Sequence, residues 1–109
     1  MDAPKFYRHG DVVLERVDSI PSDALPLGHS GQVILALGEI TGHSHRLTAT
    51  IDNLKAAQTK EGILYVSLTI PAPLTHEEHQ EIVIVPGVYK RVFEREFDYA
   101  MESIRKVVD

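Results

Sequence analysis

The chain has 109 residues, 43% of them hydrophobic, with a formal net charge of −5 and a pI near 5.6, enough for one core and too little for two. The acidity offers no general pull toward phosphate backbones and argues against a nucleic-acid binder. With no cysteine, disulfides, thiolate metal sites and cysteine nucleophiles are excluded, and any metal must be held by His, Asp or Glu.

The N-terminal "MDAPKFYRHG" lacks the apolar stretch of a signal peptide. No run approaches the roughly 20 apolar residues of a membrane span, so the expectation is a soluble cytoplasmic protein with no membrane partner. "GDVVLERVD" reads as the first strand, ending near Asp18, and "SIPSDALPLGHSG" then supplies three breakers in a row. "QVILALG" (Gln32 to Gly38) is a continuous apolar run between glycines, the pattern of a central strand covered on both faces. "HRLTATI" alternates Leu47, Ala49 and Ile51 against Arg46, Thr48 and Thr50. "ILYVSLTI" is β-branched and apolar, and the "TKEG" before it reads as a hairpin turn back to "IDNLKAAQ". A second hairpin is expected at Pro86-Gly87, between "EIVIV" and Val88 to Phe97, although Pro-Gly also centres an ordinary type II turn. "DYAMESIRKVVD" offers Asp98 as a cap with Met101, Ile104 and Val108 at helical spacing, a short terminal helix or else an edge strand.

Many short strands with frequent turns and no long helical segments make the expected fold mainly β, a small single-domain antiparallel β-barrel or sandwich over residues 1–109 with a short C-terminal helix.

Four of the six histidines sit in two tight pairs, "GEITGHSHRL" (Gly38 to Leu47) and "THEEH" (Thr75 to His79). In an extended strand His43 and His45 would face the same side and could reach one cation, with Gly38 and Gly42 easing the turn into the site. The plain alternative is a polar hairpin turn with solvated imidazoles. Thr75 and Glu78 fit a capping box that would start one helical turn, on which His76 and His79 share a face. The metalloprotease pattern, with histidines four apart, is absent. Four imidazoles beside Glu39, Glu77 and Glu78 make a candidate site for zinc, iron, manganese, nickel or copper. His9, in "RHGD", and His29, in a glycine-flanked loop, read as surface residues. In "VYKRVFEREF" Tyr89, Arg91, Phe93, Arg95 and Phe97 share a face. The arginines there are expected to pair with acidic neighbours and the aromatics to pack in the core or a subunit interface, in preference to binding nucleic acid.

On "GDVVLERVD", "GEITGHSHRL", "LTHEEHQEIVIVPGVY" and "REFDYAMESIRKVVD" the chain resembles a family of small, functionally uncharacterised prokaryotic and phage proteins marked by G-E-x-T-G-H-x-H and L-T-H-E-E-H blocks. That resemblance brings no activity with it. More distantly it resembles cupins, β-barrels in which an H-x-H pair and a later histidine bind a metal. That likeness would match His43 and His45 to the pair and His76 or His79 to the later ligand. It departs from the cupin pattern after His45, where "RLTATID" holds no ligand glutamate, and at Pro86-Gly87, where no histidine follows. "GDVVLERVD" and "GQVILALGEI" also resemble strands of co-chaperonin rings.

The leading functional expectation is a metal-binding β-barrel, an enzyme or a sensor of a small ligand, with His43, His45, His76 and His79 as metal ligands and Glu39 or Glu77 as proton acceptor. The alternative is a non-catalytic homo-oligomeric assembly or protein-binding module. Homo-oligomers suit both, because a small β domain leaves edge strands to cover.

Overall fold

A computed structural model describes residues 4–37 and 42–93. Glu39, the expected terminal helix, Arg95 and Phe97 lie outside the described residues. The strands are β1 (Phe6–His9), β2 (Val12–Val17), β3 (Leu25–Leu27), β4 (Gln32–Leu37), β5 (Ser44–Thr48), β6 (Leu54–Gln58), β7 (Leu64–Leu68), β8 (Ala72–Thr75), β9 (Ile82–Ile84) and β10 (Gly87–Phe93). Among the described residues the only helical element is a single 3-10 turn over Ile51–Asn53, and no helix is long and apolar enough to cross a membrane.

The strands form two antiparallel sheets, one in the order β1-β2-β10-β7-β6-β3 and the other β4-β5-β8-β9. Of the two expected architectures the sandwich is the one observed, because the sheets do not close into a barrel. Each sheet sends alternate apolar side chains into a shared core: Val12, Leu14, Val66 and Tyr89 from one, Leu35, Leu47, Leu74 and Ile84 from the other. Burial of a side chain of this size stabilises the fold by about 1.5–3 kcal/mol.

The "TKEG" hairpin forms as expected. Gln58 pairs with Leu64, and Thr59 closes the loop through its backbone and its hydroxyl, both bonded to Ile63. Other expectations are corrected. Pro86-Gly87 is a crossing between sheets, since β9 pairs with β8 while β10 pairs with β2 and β7. Among the described residues β4 is an edge strand paired only with β5. A bulge at Leu35 turns both Leu35 and Ala36 inward, while Ile34 and Leu37 stand 51% and 77% exposed. The continuous apolar run therefore reports a bulge, not cover on both faces. Arg91 donates to the carbonyl of Leu35 at 2.7 Å and lies over the Phe93 ring, so in the described part of the stripe it ties β10 to the opposite sheet.

Three short strands, β1, β3 and β8, lie outside the expected elements. β1 joins β2 through Gly10-Asp11, a two-residue loop with His9 opposite Val12. Gly10 has φ +62° and Asp11 has no positive φ, as in a type II′ hairpin turn. Tyr7 and Tyr89 then bind Val85 from both sides, one hydroxyl accepting its N–H at 3.2 Å and the other donating to its carbonyl at 2.7 Å. That clasp holds β1 of the large sheet against the end of β9 in the small one.

Candidate metal centre

Three pieces of chain meet at one end of the sandwich: the β1–β2 turn, the start of β5 and the loop after β8. Arg46 pairs with Thr75 and Leu47 with Leu74. Extending that register by one residue sets His76 opposite His45, and their rings lie 4.4 Å apart. The expected helical turn at "THEEH" does not form. Residues 76–80 are an irregular loop in which the Glu78 N–H donates to His76 Nδ1 at 3.0 Å. Here an imidazole takes the capping role expected of Thr75. The loop nevertheless brings the His76 and His79 rings within 4.7 Å, and His79 stacks parallel to His45 at 5.6 Å.

His45, His76 and His79 each present one nitrogen within 4.8 Å of the others. A zinc ion held by ligands about 2.0–2.1 Å away separates its donors by about 3.3–3.4 Å in a tetrahedron, so small side-chain rotations complete a site. Gly10 lines it closely: a Cβ there would stand 2.7 Å from His79 Nε2 and 2.9 Å from His45 Cε1. Only glycine combines this approach with a positive φ.

His43 does not join this group. It precedes β5, so the i, i+2 geometry of a strand does not apply, and its neighbours are His76 and Glu77 in a second group able to hold an ion. That group is already engaged internally. One Glu77 oxygen accepts the Ser44 N–H at 3.0 Å and the other pairs with Arg46, while His76 has one nitrogen committed to Glu78. Desolvation pushes the Glu77 carboxyl up, but hydrogen bonds from its own backbone and from Ser44, together with Arg46, hold it down at about 2. His43 faces Glu78, with Nδ1 3.8 Å from the carboxylate.

His9 and His45 are held toward their neutral, lone-pair-donating form. Burial, then the charge of His76 and His9, pushes His45 down to about 4 against a smaller opposing pull from Asp11. Burial also lowers His9, more than its bond to the Gln80 carbonyl raises it. Neutral imidazole is the metal-binding form.

His9 corrects the sequence reading most sharply. It is 4% exposed, and its ring stands edge-on to His45 at 5.0 Å. The Gly10-Asp11 dipeptide between "KFYRH" and "VVLER" was the available signal, since a two-residue hairpin makes His9 a strand residue. His29 instead closes its own loop, with Nε2 on the Leu54 carbonyl at 2.6 Å and Nδ1 accepting the Gly31 N–H.

The family model for a domain of unknown function, DUF8820, matches residues 8–94. The chain belongs to this family. The match takes in all three pieces of chain that build the histidine cluster, from His9 to Gln80. No curated protein and no solved structure matches the chain.

Proposed function

We propose that this protein binds a divalent transition metal through His45, His76 and His79 and presents it to a small oxygen-bearing ligand, as a metal-dependent enzyme or a sensor. The observation that carries the reading is the convergence of three imidazole nitrogens from two separate segments within 4.8 Å. All-nitrogen donors suit zinc, copper, iron and nickel better than manganese. Three protein ligands with His79 exposed at the surface leave a coordination position reachable from solvent, the arrangement of reactive rather than structural sites. Glu77 serves here to hold the loop. A carboxyl kept near 2 is too weak a base for proton transfer at neutral pH, so a bound water or the ligand itself carries that proton.

The test is elemental analysis and zinc titration of untagged protein purified without chelator, beside a His76→Ala/His79→Ala variant shown by circular dichroism to be folded. One equivalent per chain in the parent, lost in the variant, is expected. A parent that takes up none of zinc, copper, iron or nickel overturns the reading. Assembly is a second reading because β4, an edge strand among the described residues, exposes Ile34 and Leu37, the kind of apolar edge a second copy would cover. A solution mass of one subunit would remove it.

A further inference from the structure

A line of polar contacts crosses the site from the inside outward. His9 Nε2 meets the Gln80 carbonyl at 2.9 Å, His9 Nδ1 meets His45 Nδ1 at 2.9 Å, and His45 Nε2 meets an Asp11 carboxylate oxygen at 3.3 Å. Tautomers follow from the partners. A carbonyl only accepts, so His9 carries its proton on Nε2 and its Nδ1 is a lone pair. His45 must therefore donate from Nδ1, which leaves Nε2 bare.

The three gaps thus share two ring protons. The outermost gap has none, and there a nitrogen lone pair faces a carboxylate. Two acceptors repel unless a cation stands between them. The 3.3 Å separation is also about the edge of a tetrahedron around zinc, and the bare nitrogen belongs to the ring that His76 and His79 flank.

We propose that His9 is a positioning residue for the metal: it holds His45 in the Nδ1–H tautomer, so that Nε2 and the Asp11 carboxylate bind a divalent cation between them. The inference rests on the metal reading above and adds Asp11 as a ligand. Asp11 is 67% exposed, at the tip of the β1–β2 turn, so it can be displaced by an incoming ligand, or the metal can expand to five-coordinate. The His9–His45 bond is the familiar arrangement in which a metal-bound histidine gives its other N–H to a fixed acceptor. The acceptor here is a second imidazole, itself anchored on the backbone of the ligand-bearing loop.

The experiment is a long-range 1H–15N correlation on histidine-labelled protein at pH 7.5, first metal-free and then with zinc, with zinc affinities measured in parallel. His45 is expected to be protonated on Nδ1 in both states, its Nε2 signal moving on zinc addition. His9→Leu removes the acceptor and should weaken zinc binding about 10–100-fold. His9→Asn, whose amide oxygen can accept from His45, should recover most of that loss, and Asp11→Asn should cost about 10-fold. Cobalt(II) absorption in the Asp11 variant should report the altered ligand set. A metal-free parent with His45 protonated on Nε2 overturns the proposal whatever zinc does, and needs no variant to fold. Equal zinc affinity in parent, His9→Leu and His9→Asn overturns it too. An Nδ1–H tautomer in a parent that binds no zinc would instead refute the metal reading itself, and the cation in the gap with it.

Discussion

The two histidine-bearing segments are built in opposite ways. His45 sits on β5 between β4 and β8, 2% exposed, with its Nδ1 2.9 Å from His9 Nδ1. His76 and His79 hang on an irregular loop whose shape comes from polar contacts: Glu77 with Ser44 and Arg46, and His76 with the Glu78 N–H. The strand residue is oriented by packing before any ion arrives, whereas the loop residues are oriented by hydrogen bonds that compete with water. One element supplies a fixed direction and the other supplies reach, and a site of this kind separates fold stability from metal affinity.

The largest effect should come from breaking the fixed side. His45→Ala removes a buried ring and leaves His9 Nδ1 without its donor, so it should lose metal and also destabilise the fold by about 2–4 kcal/mol. His79→Ala, at an exposed position, should lose metal while changing stability by less than about 0.5 kcal/mol. Urea denaturation of the chelator-treated proteins checks the contrast, and equal stabilities would sink it.

A smaller change is expected from loosening the loop. Glu77→Gln keeps the size of the side chain but removes the charge that holds Arg46, and should weaken metal binding about 10-fold by letting the loop spread. Isothermal titration with zinc reads this directly. Unchanged affinity would mean that the loop is held by other contacts.

The pH dependence of the metal-free fold is the mildest probe. His45 titrates near 4 in the folded chain, and His9 is also lowered from the ordinary value near 6.5. Below 6.5 the unfolded chain binds these protons and the folded chain does not. Stability is therefore full above 6.5 and falls as pH drops toward 4, by at most about 1.4 kcal/mol per pH unit for each proton. Stability that stayed level between pH 7 and 5 would show that the rings are not held neutral.

Much of the fold was legible because its cause is local. Alternation marked β2 and β5, a β-branched apolar run marked β7, and "TKEG" marked the hairpin between β6 and β7. Pro86-Gly87 misled because a tight turn looks the same whether the next strand returns to its neighbour or crosses to another sheet. β4 misled because a bulge makes an edge strand read as continuously apolar. The site was half legible. The two histidine pairs do approach one another, but His43, which lies before the regular strand, joins His76 and Glu77 in a second group and not the His45–His76–His79 group, and His9 enters from a hairpin that its Gly-Asp turn alone announced.

The residues by themselves determined the class of fold, the absence of thiolate chemistry and a supply of imidazoles in excess of any ordinary surface need. Those are matters of composition and short-range pattern. Only the tertiary structure decided which imidazoles meet, because that depends on the β5–β8 register and on β1 being clasped against β9, contacts between residues far apart in the chain. It also set His45 Nδ1 2.9 Å from His9 Nδ1, a partner that no local spacing connects to it and on which the proposed Nε2 ligation rests.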